Sequence, residues 1–382
     1  MSNSIDLERI RKEVEQKIFF NETHAAEYQT DEVTRISSPI NGNAAAVTNY
    51  HSPDYSKFPE LILLNQYSPH RAIFWFHSVG GVQPYFMFAE NNTRPFYGIE
   101  SRGLRTERAP LHGIQALAAY YVHIILSVQP SGPYDLGGYS LGGVIAYEVA
   151  RQLQELGEKI SSITMLDTLD QGVSHVTKNI SFKSRLLQGV NHTLAANVFK
   201  DSDRLKTLLI NRDEINWKMS EKKIIKRLTQ LACERVAFSS EEQMKRKILK
   251  MAQLQLSYEY ENYSILPLSR PDEVDCYFFR NSSGILFGDL SPFFWILEDE
   301  VNVDHLVYWK LWEKHLPKIH VMDLNSSSHM TILTEEKAYK PIIEFCKQLY
   351  SEEGITESYL TYFKEKLGMF QMMQHGMARS AL

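Results

Sequence analysis

The sequence predicts an α/β fold, a mostly parallel sheet flanked by helices, with a large helical block inserted between two of its strands. Three observations carry that prediction. Between residues 60 and 170 short continuous apolar runs alternate with segments of helical period, as in a sheet whose parallel strands are buried on both faces. From about 172 to 270 the alternation stops and only the helical period remains. After 270 strand-like runs return, and helical segments close the chain. The 382 residues, 43% hydrophobic and 23% charged, suffice for one large core with an insertion and extensions.

Residues 1–57 are the least core-like part and are read as an N-terminal extension or linker. A short helical pattern (Ile5, Ile10, Val14, Ile18) precedes the polar stretch SSPINGNAAAV. The main domain is expected over 58–352, with the helical block at about 172–270 acting as a lid. Ala72–Phe76 has the length of a buried strand, and Phe96–Ile99 is a second. Ile114, Leu117, Ala118, Tyr121 and Ile125 lie on one face of a helix that the prolines at 130 and 133 stop. Tyr134–Tyr139 reads as a strand. A helix follows from about Gly142 to Leu156, with Gly157 at the position after its C-cap. Ile160–Leu166 is the next strand. Beyond the helical block, strands are expected at 274–279 and 319–322, then a helix over 338–350. Residues 353–382 are expected to form a helical tail, rich in methionine near its end.

Composition excludes several functions. The net charge of −5 gives nucleic acid no general attraction. Three widely spaced cysteines, Cys233, Cys276 and Cys346, fit neither a disulfide framework nor a zinc site. No metal or cofactor motif occurs. The first residues are charged from position 6, and no apolar run approaches the roughly 18 residues of a membrane span. A cytoplasmic protein without membrane or nucleic-acid partners is expected.

The pentad Gly138-Tyr139-Ser140-Leu141-Gly142 matches G-x-S-x-G, the nucleophile elbow. By composition alone such a pentad arises in about one chain in eight of this length. The context makes it informative, because a predicted strand precedes it and a helix begins at it. A serine on that turn stands at the sheet's C-terminal edge, beside the free N–H groups of a helix start. Gly138 and Gly142 let neighbouring backbones approach where a Cβ would clash. A serine hydroxyl needs a base, and the base an orienting carboxylate. Asp167 ends the strand one strand–helix–strand step after Ser140, which puts it on the same edge. Asp170 in the following loop and Asp289 after the strand at 274–279 are the alternative acids.

Thirteen histidines compete as base. His329 follows the last strand through the polar loop 325–328 and is the one placed to reach Ser140. His123 falls within an apolar helix, and His305, His315 and His320 lie before or within the last strand, where lone histidines are usually structural. One oxyanion N–H is expected from Leu141, the residue after the nucleophile, and the second from Val79 in the loop His77-Ser78-Val79-Gly80-Gly81. His77 is read as shaping that loop.

The runs 129–143 (QPSGPYDLGGYSLGG) and 97–104 (YGIESRGL) resemble the thioesterase domains that terminate nonribosomal peptide and polyketide synthases. The resemblance covers about residues 60–350 and is specific in the first half and at His329. It implies an α/β-hydrolase fold. It also implies release of an acyl or peptidyl chain from the phosphopantetheine arm of a carrier protein, by hydrolysis or cyclisation, through an acyl ester of Ser140. Asp167 and His329 would complete the triad, and Val79 and Leu141 would hold the oxyanion. His77-Ser78 departs from the family, in which a Pro-containing pair is common there.

Two other readings share these residues. A generic carboxylesterase or lipase would use the same triad on oxygen esters, and a non-catalytic binding protein would keep the fold alone. Basic clusters in the lid (Lys222-Lys223, Lys226-Arg227, Lys245-Arg246-Lys247) read first as solvated helix faces. Their alternative role is docking of an acidic carrier domain.

Overall fold

Seven strands form one sheet: β1 (Leu61–Leu63), β2 (Ile73–Phe76), β3 (Phe96–Ile99), β4 (Tyr134–Tyr139), β5 (Ile160–Leu166), β6 (Asp275–Asn281) and β7 (Ile319–Leu324). Their order is β1-β3-β2-β4-β5-β6-β7, and every neighbouring pair is parallel except β1 with β3. This computed structural model describes residues 55–79, 81–90, 92–169, 180–195, 202–236, 240–296 and 310–380. The helical pattern at Ile5–Ile18, the linker stretch, Gly80, Asp170 and His305 lie outside the described residues.

The short apolar runs form strands because helices cover both faces of the sheet. Within β2 all four residues are buried, and they alternate between two layers. Phe74 and Phe76 pack with α1 (Ile114–Val128) and α2 (Leu141–Glu155). Ile73 and Trp75 face α7 (Glu336–Leu349) and α8 (Glu357–Ser380) on the other side. Trp75 Nε1 donates to the Tyr350 hydroxyl at 3.0 Å, so a fully buried indole keeps its hydrogen bond. Helix α2 ends where Gly157, at φ 87°, turns the chain.

Two features depart from the sequence expectation. Strand β1 has only three residues, too few to show a period, and its pairing to β3 is antiparallel. Asn65 continues that edge with its side chain: Oδ1 accepts the Phe96 N–H and Nδ2 donates to the Arg94 carbonyl. Helix α8 falls in the expected tail, yet Leu360, Phe363 and Leu367 are buried in the second layer, and the Phe363 ring lies 5.0 Å from that of Phe345.

Between β5 and β6 the chain forms α3 (Phe182–Ala195), α4 (Ser202–Leu208), α5 (Glu221–Arg235) and α6 (Glu241–Ser257). These helices have a core of their own, in which Leu186, Leu187, Ile224, Leu228, Ile248 and Ala252 are buried. The block packs over the sheet's C-terminal edge as a helical insertion. No helix among the described residues is long and apolar enough to cross a membrane.

Candidate active site

Ser140 occupies the turn between β4 and α2 with φ 56° and ψ −118°, a conformation rarely adopted by a residue with a side chain. The turn is held from both sides. The Ser140 N–H donates to the Leu166 carbonyl at 2.8 Å, and the Gly143 N–H donates to the Ser140 carbonyl at 3.1 Å. The flanking glycines are there for space. A Cβ on Gly138 would lie 2.4 Å from the Gly142 carbonyl carbon, and one on Gly142 would lie 2.3 Å from the Phe76 oxygen.

His329 opens a short turn after β7, and its N–H donates to the Ile285 carbonyl at 2.8 Å. Its Nε2 lies 3.0 Å from Ser140 Oγ and its Nδ1 2.9 Å from Asp167 Oδ2. A carboxylate accepts only, so Nδ1 carries the proton, and in the neutral ring Nε2 is left to accept from the serine. Asp167 is fully buried and sits at φ 44° just beyond β5. Its N–H donates to the Phe279 carbonyl, and its second oxygen accepts the Asn281 N–H at 2.7 Å. Both carboxylate oxygens therefore have a donor, and the orientation of the carboxylate is fixed. The sequence candidates Ser140, Asp167 and His329 are thus brought into one hydrogen-bonded line. Asp289 is not part of it: its exposed carboxylate pairs with Lys206. His315 and His320 rest against the Tyr147 and Tyr277 rings.

Two supports were not foreseen from sequence. The Tyr139 hydroxyl donates to the His329 carbonyl at 2.7 Å, and its ring stacks on the imidazole with centroids 4.9 Å apart. The other support, the Asn281 N–H, is a backbone group and leaves no mark in the sequence. Tyr139 was marked in the sequence only as a member of the pentad, not as a partner of His329.

Val79 and Ser140 line the same cavity, a half-open space of about 220 Å³ between the sheet edge and the helical insertion. The loop carrying Val79 is closed by paired hydrogen bonds between Ser78 and Gly81. Leu141 begins α2, so its N–H is one of the first four that no carbonyl of the helix can reach. His77 is buried beneath this loop, with Nδ1 3.0 Å from the Ser78 carbonyl and Nε2 2.8 Å from the Tyr121 hydroxyl. Burial pushes its pKa down to about 4, so it is neutral at pH 7.

The unfolded chain takes up the His77 proton first as pH falls, because the folded pKa is the lower one. Its contribution is complete above pH ~6.5 and is lost as pH falls toward about 4, a change of about 3 kcal/mol. Chemical denaturation at pH 7 and pH 4.5 is expected to show a smaller acid loss for His77→Gln than for wild type. Parallel losses would mean that His77 titrates alike in both states.

The family model described as "Thioesterase domain" matches residues 71–350. The polyketide synthase PksR of Bacillus subtilis (strain 168) is 41% identical over 321 residues, which is 84% of this chain and 12% of that protein. The non-reducing polyketide synthase crz7 of Cladonia metacorallifera is 47% identical over 74 residues, 19% of this chain and 4% of its own length. Among solved structures, a four-domain nonribosomal peptide synthetase in its holo form, bound to AMP and glycine, superposes with a TM-score of 0.56 at 20% identity. That match covers 76% of this chain and 20% of the other, and it speaks to the fold. The chain therefore spans a small fraction of the length of these relatives.

Proposed function

This chain belongs to the thioesterase domain family of polyketide and nonribosomal peptide synthases, and from that premise we propose that it is a serine thioesterase releasing acyl chains from a carrier protein's phosphopantetheine thioester. The observation that carries the reading is the hydrogen-bonded line from Asp167 through His329 to Ser140, opening on a cavity. In this mechanism His329 Nε2 takes the Ser140 proton as Oγ attacks the thioester carbonyl. The N–H groups of Val79 and Leu141 receive the oxyanion, each contributing about 3 kcal/mol. As the tetrahedral intermediate collapses, the C–S bond breaks, and the imidazolium returns its proton to the departing thiol. His329 then removes a proton from water, or from a hydroxyl or amine of the acyl chain itself, and returns it to Ser140 Oγ as the acyl-Ser140 ester is cleaved. Water gives an acid and an internal nucleophile gives a ring.

The Asp167 carboxylate holds Nδ1–H and stabilises the imidazolium in both halves of the cycle. Docking of a carrier domain would fall to the exposed Lys222, Lys223 and Lys226 of α5 before the cluster on α6. Arg246 and Lys245 there already pair with Glu107 and Glu242.

Acyl N-acetylcysteamine and carrier-bound thioesters are expected to turn over with higher kcat/KM than matched oxygen esters. Product masses would separate acid from ring. Cleavage of the oxygen esters with the thioesters left intact would instead identify a carboxylesterase. Silence toward both classes would fit a binding protein.

A further inference from the structure

Helix α3 has two faces with different neighbours. Leu186, Leu187, Val190 and Leu194 are buried in the core of the helical insertion. Arg185, Gln188 and His192, at i, i+3 and i+7, share another side of the helix and line the cavity that holds Ser140 and His329. On an ordinary surface helix such a polar stripe faces water; here it forms part of the wall of an acyl-binding space. Gln255 joins it from α6. Most of the remaining wall is apolar, with Leu169, Ile180, Phe287, Phe294, Trp295 and Leu333 among its residues. A few polar groups in such a wall set the orientation and identity of what binds.

The hydrogen-bond states of these groups differ. Gln188 is satisfied: Nε2 donates to the Phe294 carbonyl at 3.1 Å and Oε1 accepts from Arg185 Nη1 at 3.2 Å. That second bond steadies the guanidinium at the cavity wall. His192 is neutral, its pKa pushed down to about 4 by burial, with the Arg185 charge acting in the same sense. Gln255 is 6% exposed, and its Nε2 has no hydrogen-bond partner among the described residues. A buried donor left without an acceptor is destabilising. The terminal torsion of a glutamine is broad, so the amide can turn toward an acceptor that enters the cavity. The described lining offers these donors and includes no Asp or Glu.

We propose that Arg185 and Gln255 are specificity-determining residues, and that they select acyl chains carrying an sp² oxygen acceptor remote from the thioester, either a ketone or amide carbonyl or a carboxylate. The assignment rests on the thioesterase reading of Ser140. A site that offers a buried donor such as the Gln255 amide rejects an analogue lacking the acceptor, because that donor is then left unpaired. A saturated chain would fill the apolar part of the wall and leave Gln255 unsatisfied.

The test uses the full chain and three N-acetylcysteamine thioesters matched in length: saturated, bearing an internal ketone, and bearing a terminal carboxylate. Wild type should favour at least one oxygenated substrate over the saturated one by about tenfold or more in kcat/KM. Gln255→Met and Arg185→Met, both of which keep a long flexible side chain without a strong donor, should bring that ratio toward one. The change should come through KM more than kcat. A larger effect of Arg185→Met on the carboxylate arm would identify an acidic chain, whereas equal effects on both arms would identify a carbonyl. If a variant does not fold, the wild-type ratio decides alone, and a ratio near one overturns the proposal. An unchanged ratio in folded variants overturns it too and leaves the thioesterase reading in place. No turnover of any thioester, carrier-bound substrate included, overturns that reading, and this assignment falls with it.

Discussion

Ser140→Ala is expected to remove thioester turnover, with kcat reduced by about 10⁶. The substitution deletes one atom, and that atom is the partner of His329 Nε2 at 3.0 Å. Without Oγ no acyl ester can form, and what would remain is water attack aided by the N–H groups proposed to hold the oxyanion. The elbow itself should persist. Its holding bonds, from the Ser140 N–H to Leu166 and from the Gly143 N–H to residue 140, are backbone bonds that alanine keeps. Alanine also bears the positive φ of 56° at much the same cost as serine, so stability should change by no more than about 1 kcal/mol. Two measurements check the expectation. Rapid-quench mass spectrometry with an acyl N-acetylcysteamine thioester should show an acyl adduct on wild type and none on the variant. Thermal melting should show both folded. An intact fold with turnover within tenfold of wild type would remove Ser140 from the nucleophile's place.

Much of this site was legible in sequence because its parts are tied to strand ends. A strand's end fixes where the next residue stands, and the apolar runs at 134–139 and 160–166 marked those ends plainly. Ser140 and Asp167 were then placed at the same edge, with Asp170 and Asp289 still open as alternative acids. His329 required one more inference, that the polar loop 325–328 leaves β7 at the same edge. Less legible was whatever depends on side chains meeting across long stretches of sequence. Nothing near Tyr139 announces that its hydroxyl will reach the His329 carbonyl, which lies 190 residues along the chain. The helical period of α3 was readable, but which of its faces would look into the cavity was not. That depends on where the insertion packs, and no local pattern encodes it. Strand β1 was invisible for a different reason: three residues held mainly by pairing to β3 have no period to detect. The amphipathic pattern at the start of α8 was itself in the sequence: Leu360, Phe363 and Leu367 recur at helical spacing, and they are buried.

Asp167→Asn should reduce kcat by about 10⁴ while leaving a folded protein, and the reason lies in which nitrogen of His329 holds the proton. In wild type Oδ1 accepts the Asn281 N–H and Oδ2 accepts from His329 Nδ1. An asparagine would keep its carbonyl oxygen toward the Asn281 N–H, because that backbone donor has no other use for the position. The amide nitrogen then faces Nδ1, and two donors cannot meet there. The imidazole answers by moving its proton to Nε2, where it points at Ser140 as a donor, and the base has lost its lone pair on the working side. Stability should change little, because asparagine tolerates the φ of 44° that Asp167 adopts and fits the same volume. The imidazolium would also lose the adjacent negative charge that stabilises it during acylation. Labelling by a fluorophosphonate separates this variant from Ser140→Ala: Asp167→Asn should label slowly at Ser140, and Ser140→Ala not at all at that position. A kcat within tenfold of wild type in folded Asp167→Asn would show that the negative charge at this position is dispensable, and the search for the orienting group would move to another carboxylate.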